Sequence, residues 1–338
     1  MGRRIEHLTF PERTSMADRD VPSASLLGPI GRRVSIRLRE DSGFRDILGV
    51  LRSATTIEKK DGSCEEFDPE RIFAWRAVFE PEARAGRGAP YSERIRELER
   101  IANITWPAKD QTEIGGWILR ASQREDGKGI SRRANSVLPL GAPPYGDPQI
   151  SLDDVLTLVK DFYSSRILPP LIQIPLPAYQ QLDEMLEEMG WSIDLEGEML
   201  IADRSDIVNN YSGELSSHLT ISAECDRAWL ELHDDRSEII MRNYPAKYFS
   251  IEDDHSSVIA RGRLASSDDW AMFSAIYVHP DHRSQGLGRK ILGAMAHHSP
   301  SPKLALQVNA GNKPALALYT SLGFRSHHRF RFRLYGGK

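Results

Sequence analysis

Residues 271–324 constrain the fold of this chain more than any other stretch. They read AMFSAIYVHPDHRSQGLGRKILGAMAHHSPSPKLALQVNAGNKPALALYTSLGF. The apolar run Ala275-Ile276-Tyr277-Val278 is stopped by His279-Pro280. It is short and rich in β-branched and aromatic residues, which predicts a buried strand. Arg283-Ser284-Gln285-Gly286-Leu287-Gly288 then opens a helix with Leu287, Ile291, Leu292 and Met295 on one face. A second strand follows from Leu304 to Val308. After it come Asn312 and a helix that carries Tyr319 and ends at Gly323-Phe324. A strand, a glycine turn and a helix start in that order make an anion site. Glycine lets main-chain N–H groups approach an anion without a Cβ in the way. The helix start adds unpaired N–H groups and the positive end of the macrodipole. A dinucleotide loop would place a third glycine where this chain has Ile291, and no Gly-Lys-Ser/Thr follows as a P-loop requires.

The turn Arg283–Gly288 resembles the R/Q-x-x-G-x-G/A signature of the GCN5-related N-acetyltransferases (GNAT). Asn312, Ala315, Leu318, Tyr319, Gly323 and Phe324 resemble the same family's N-x-x-A-x-x-L-Y-x-x-x-G-F. The likeness covers roughly the last 120 residues, a domain-sized piece. It implies an α/β (α+β) fold and acetyl-CoA as co-substrate, with no metal. Ile276, Tyr277 and Val278 would present main-chain groups to the pantetheine arm. Arg283, Ser284, Gln285, Gly286, Leu287, Gly288 and Arg289 would hold the pyrophosphate. Asn312 would touch the coenzyme arm or cap its helix. Tyr319 is the candidate catalytic residue. A phenol of pKa ~10 is protonated at neutral pH and can donate to a departing thiolate. The alternative is a core tyrosine on the inner face of a helix. No base is assigned: Glu231, Asp268 and Asp269 read as surface carboxylates, and His279 and Asp281 as turn residues.

A chain of 338 residues holds two or three domains. Its formal net charge of −4 gives no global attraction to nucleic acid or membrane. Cys64 and Cys225 are its only cysteines, which argues for a reducing compartment and against a thiolate zinc site. No apolar stretch approaches the ~20 residues of a membrane span, and no signal-peptide core opens the chain. A cytoplasmic protein is expected, with its oligomeric state open.

In order, residues 1–28 read as a mobile tail. Residues 29–80 read as a small all-β barrel, from the alternation Val34-Ser35-Ile36-Arg37-Leu38-Arg39 and the strand-like runs Asp46–Leu51 and Ile72–Trp75. Residues 81–112 read as a linker with a helix over Ser92–Ile101. Residues 113–202 read as strands Gly116–Arg120 and Ala134–Leu138, a helix Leu152–Ser165 capped by Ser151, a strand Leu171–Pro175 and a helix Tyr179–Met189. Residues 203–338 form the final domain. Ile172-Gln173-Ile174, a helix and Gly190-Trp191 parallel Leu306-Gln307-Val308, a helix and Gly323-Phe324. That is an internal repeat, with two acetyltransferase-like halves in tandem. The first is degenerate: Pro143-Pro144-Tyr145-Gly146 replaces the phosphate turn, and Leu186 stands where Tyr319 stands. It would serve as scaffold or as a wall of the acceptor pocket facing Tyr319.

Gly31-Arg32-Arg33-Val34, Ile47–Leu51, Gly115–Arg120, Arg133–Pro139 and His327–Arg331 resemble an actinobacterial group with an SH3-like barrel ahead of a tandem GNAT region. That group is often labelled N-acetylglutamate synthase, an arginine-biosynthesis activity, so the resemblance implies a small amine acceptor, L-glutamate first. A protein N-terminus or lysine, or a non-catalytic CoA-binding scaffold, are the alternatives. The closing strand of His328, Phe330 and Phe332 carries Arg329, Arg331 and Arg333, which could bind acceptor carboxylates.

Overall fold

The computed structural model describes residues 30–78, 84–211, 218–232 and 238–336, so the tail expected over 1–28 lies outside the described residues. The chain divides into two compact units, Met1–Pro81 and Glu82–Lys338.

The first unit is an antiparallel sheet of β1 (Arg33–Glu40), β2 (Gly43–Ser53), β3 (Thr56–Glu58), β4 (Cys64–Glu66) and β5 (Ile72–Ala77). The strand order is β4-β3-β2-β1-β5. Alternation puts Val34, Ile36 and Leu38 on one face, where they pack with Ile47, Leu51, Ile57 and Phe67. Arg37 points the other way and pairs with Asp46 at 2.7 Å. The expected barrel does not close. β5 pairs only with β1, and three-residue β4 only with β3, so among the described residues the two edges share no ladder.

The second unit contains α1 (Tyr91–Thr105), β6 (Asp110–Ile114), β7 (Trp117–Ala121), β8 (Leu138–Pro139), α2 (Leu152–Ser164), β9 (Leu171–Leu176), α3 (Gln180–Glu188) and β10 (Trp191–Asp203). It continues with α4 (Arg204–Asn210), β11 (Leu219–Ser222), α5 (Arg227–Glu231), α6 (Glu238–Arg242), β12 (Lys247–Glu252), β13 (Val258–Ser267) and β14 (Trp270–Val278). α7 (Leu287–His297), β15 (Lys303–Asn309), α8 (Lys313–Leu322) and β16 (Arg325–Tyr335) complete it. One sheet runs β11-β12-β13-β14-β15-β10-β16-β9, and a small one runs β6-β7-β8.

Period-two alternation sorts the central strands between two covers. Ala271, Phe273, Leu304, Leu306 and Val308 face α7 and α8, packing with Ile291, Leu292, Met295 and Leu322. Trp270, Met272, Ala305, Met199 and Ile201 face α1, packing with Leu98, Ile101 and Ala102. Among the described residues, no helix is long and apolar enough to cross a membrane.

The stretches 113–202 and 203–338, expected as two halves, are interleaved within one compact unit. β10, which ends the first half, pairs with β15 of the second, and β16, which ends the second, pairs with β9 of the first. Each half therefore lends its last strand to the other. The strand expected over Ala134–Leu138 begins instead as a 3-10 turn, Arg133–Asn135. The Asn135 amide replaces a ladder there, accepting from Ser122 N at 2.8 Å and donating to Ser131 O at 2.9 Å. Only Val137 and Leu138 keep strand pairing, Val137 by a parallel bridge to Ile172.

Candidate functional site

β14 and β15 run parallel, but their ladder ends at Phe273–Leu306. On its other side β14 bulges against β13, where Arg263 faces Ser274 and Arg261 faces Tyr277, and Ala275 takes a φ of 51°. A bulge adds a residue and bends the strand. β14 therefore turns away from β15 over residues 274–278 and opens a gap in mid-sheet. Ile276, Tyr277 and Val278, half-buried, lie along this opened stretch.

The strand runs into a 3-10 turn, Pro280–His282, where His279 Nδ1 accepts from Asp281 N at 3.4 Å. His279 and Asp281 are thus turn residues, as expected. Arg283 folds back, its Nε donating to Val278 O at 3.2 Å. Arg283, Ser284, Gln285 and Gly286 are exposed, Leu287 is buried, and Gly288 and Arg289 are half-buried. Gly286 occupies the cap position of α7 with a left-handed φ of 77°, a conformation that costs glycine nothing. No side chain caps α7 and no acid stands in its first turn. Its leading N–H groups and dipole are left for an outside anion. α2, the corresponding helix of the first half, is the opposite. Ser151 Oγ accepts from Asp154 N, and Asp153 and Asp154 occupy the first turn. That start is already capped and carries negative charge, so it leaves little for an outside anion.

α8 lies directly over this turn. A Cβ added at Gly288 would stand 2.9 Å from Leu318 Cδ2, and Arg289 Nη2 donates to Ser321 Oγ at 2.7 Å. Asn312 caps α8, its Oδ1 accepting from Ala315 N at 3.2 Å. Tyr319 is 7% exposed, packed with Leu306, Leu287 and Phe324, with Ile276 and Val278 against the same cluster. Its hydroxyl makes no hydrogen bond to a described residue. Burial alone pushes the phenol up to about 12. The ring is therefore core, as the alternative reading of Tyr319 has it, while the hydroxyl bonds to no described residue.

The α1 face of the gap is polar. Glu99, 1% exposed, shares a helix face with Ile95, Leu98 and Ala102. Its carboxylate accepts from Gln173 Nε2 at 2.8 Å, from Gln307 Nε2 at 3.1 Å and from His328 Nε2 at 2.9 Å. The paired glutamines of the internal repeat thus meet on one carboxylate. Gln307 follows Leu306, where the β14–β15 ladder ends, and its Oε1 accepts from Arg133 Nη1 at 3.2 Å. Arg133 stacks 4.7 Å from the Trp106 ring, with Arg263 5.6 Å from the same ring. Burial pulls the Arg133 guanidinium down to about 10, with Glu99 opposing and Arg263 adding to the fall; it stays charged at neutral pH. Buried Cys225 belongs to the cluster that holds Trp106 and touches Ala275. Burial pushes its thiol up to about 11, so it is protonated at neutral pH and a poor nucleophile.

The stretch 113–202, expected as scaffold or as a wall of the acceptor pocket facing Tyr319, does not put β9 beside β14. β9 is separated from β14 by β15, β10 and β16. What it brings to the gap is Arg133. Nor is the last strand free to bind acceptor carboxylates through Arg331 and Arg333. Arg331 holds Asp183 and Glu196 at 2.7 Å, and Arg333 holds Asp183 at 2.8 Å and Glu187 at 2.9 Å. Burial opposes ionisation of Asp183, but these two guanidinium groups more than offset it and hold its carboxyl below the usual range. Asp268 and Asp269 are exposed partners of Arg100 and Lys303 at 3.0 and 3.4 Å. Glu231 pairs with Arg227 at 2.5 Å. No group of three His, Cys, Asp or Glu placed to hold a metal occurs among the described residues.

Sequence reasoning missed Glu99, Arg133 and Trp106 as site residues. The signal for Glu99 was an acid on the apolar stripe of an amphipathic helix.

Residues 92–333 match the family described as Probable histone acetyltransferase Rv0428c C-terminal. The chain is 28% identical over 256 residues to the uncharacterized N-acetyltransferase YobR of Bacillus subtilis strain 168, covering 71% of this chain and 98% of that protein. It is 26% identical over 320 residues to the Probable histone acetyltransferase Rv0428c of Mycobacterium tuberculosis, covering 90% and 94%. A solved GCN5-related N-acetyltransferase from Kribbella flavida shares the fold, with a TM-score of 0.53 at 14% identity over 72% of this chain and 96% of that one. The chain therefore belongs to the Rv0428c C-terminal family and is an N-acetyltransferase of the GCN5-related type.

Proposed function

We propose that the protein transfers the acetyl group of acetyl-CoA directly to the amine of a small amino acid, with L-glutamate, giving N-acetylglutamate, first in line. The observation that carries this reading is the opened stretch of β14 running into the uncapped, acid-free start of α7. An extended chain ending in a pyrophosphate fits that course. Bound there, acetyl-CoA supplies an activated acetyl group on a thiolate leaving group. Residues 276–278 offer main-chain groups along the arm, and the N–H groups of α7, with Arg283 and Arg289 beside them, face the phosphates. One N–H on the opened stretch can bind the carbonyl oxygen as charge develops. Tyr319 Oη, uncommitted to any described residue, donates its proton to the sulfur as it leaves. Holding amine and thioester together supplies much of the rate. A protonated Cys225 thiol leaves direct attack favoured over a cysteine-bound acyl group.

A second reading, a protein acceptor, is favoured by the printed name of the Mycobacterium tuberculosis relative. The test is release of free thiol from acetyl-CoA with purified protein and a panel of amino acids and lysine peptides. Glutamate-dependent release supports the first reading. Release with peptides alone moves the acceptor to the second, and no release with any amine removes both.

A further inference from the structure

On the α1 face of the gap, positive charge outweighs negative. Arg120, Arg133 and Arg263 bring three guanidinium groups, and Arg120 and Arg263 are each at most 2% exposed. Among the described residues none of the three has a carboxylate within ion-pair distance. Arg120 is satisfied by Ser136, Asn103 and Gln173. Arg263 is held by the carbonyls of Thr105, Met241 and Tyr244 and by Ser274 Oγ, but its Nε is buried without a partner. The indole N–H of Trp106, 7% exposed, also has no acceptor among the described residues. Arg133 spends only Nη1, on Gln307; its Nε and Nη2 make no hydrogen bond to a described residue. Glu99, the carboxylate of this patch, is already filled by two amides and His328. Buried guanidinium groups without a nearby anion are costly, and Arg133, half-buried, is the one of the three that a ligand anion can reach.

We infer that Arg133, with Trp106 and Arg263 behind it, seats a carboxylate of the acceptor, so that the natural acceptor is an acidic or zwitterionic small amine rather than a basic peptide. This rests on the acetyl-transfer reading above. The location suits it. Gln307, which aims Arg133, sits one residue past the last β14–β15 pair, and Ser274 and Ala275, at the bulge, touch Arg263 and the Trp106 cluster. A carboxylate anchored there leaves the amine of the same molecule to enter the gap. Arg suits the task because its planar fork binds a carboxylate through two N–H groups, which lysine cannot do.

The test compares L-glutamate, its α-amide and its γ-amide as acceptors for the wild type, Arg133→Lys and Arg133→Gln. Acetyl-CoA affinity and melting temperature are read on each protein. The wild type should use at least one amide worse than glutamate by about 30-fold or more in kcat/KM, the scale of a lost charge-assisted pair. Arg133→Gln should raise KM for glutamate by a similar factor, with acetyl-CoA affinity within about twofold, and should treat that amide and glutamate nearly alike. Arg133→Lys should fall between. Equal use of acid and both amides by the wild type, or an Arg133→Gln loss equal for all three acceptors, would overturn the inference. Thiol release with a lysine peptide and none with glutamate would overturn it alone, leaving acetyl transfer in place. No thiol release with any amine would overturn the transfer reading and the inference with it.

Discussion

Tyr319→Phe lowers kcat by about 10²-fold or more, the usual contribution of a positioned general acid, while acetyl-CoA affinity changes by less than about twofold. The substitution is clean. The hydroxyl bonds to no described residue, and the ring contact to Phe324, 6.0 Å between centroids, survives in phenylalanine. The protein therefore folds normally and loses only the proton. Because burial holds the phenol up at about 12, Tyr319 stays protonated over the working range. The ratio of wild-type to variant kcat is accordingly flat between about pH 6 and about pH 10. Steady-state kinetics at several pH values check both points. A kcat within about threefold of the wild type would reduce Tyr319 to core packing.

Glu99→Ala should have the largest effect on stability, about 3–5 kcal/mol by denaturant unfolding, the range for removing one partner of a buried charged cluster. It leaves Gln173, Gln307 and His328 donors facing a void, and it removes the negative charge nearest Arg133. Glu99→Gln keeps the volume but brings a donor among donors, and should cost less. The mechanism predicts a secondary defect as well, because Gln307 positions Arg133 and is itself positioned by Glu99. A loss below about 1 kcal/mol for Glu99→Ala would mean that this carboxylate does not tie α1 to the sheet.

The turn before α7 and the starts of α7 and α8 were legible in the chain because their parts are local. A strand stopped by Pro280, a left-handed Gly286 and the cap Asn312 are each set by neighbours within a few residues. The opening between β14 and β15 was not legible. It depends on a bulge at Ala275 and on where a ladder stops, and neither leaves a composition signal. The polar cluster under α1 was missed for the opposite reason. Glu99, Arg133 and Gln307 lie far apart in sequence and meet only through the fold. Gln173 and Gln307 were matched in the sequence, but their shared partner Glu99 was not, since it lies outside both stretches. The exchange of β10 and β16 between halves was likewise hidden, because either strand pairs equally well on its pattern alone. Of the small barrel expected over residues 29–80, the five strands are present, but the edge strands share no ladder among the described residues. Strand pattern gives the number of strands, whereas closure depends on whether β4 and β5 find each other.

The central claim is that the start of α7 receives the phosphates of acetyl-CoA. Calorimetric titration of acetyl-CoA into the wild type and Arg289→Glu tests it most directly. The variant gives α7 an acidic first turn of the kind that α2 has. The wild type should bind one acetyl-CoA per chain in about the micromolar range, and Arg289→Glu should weaken binding by about tenfold or more through like-charge repulsion and a lost cation. No binding by the wild type, or undiminished binding by Arg289→Glu, would contradict the assignment.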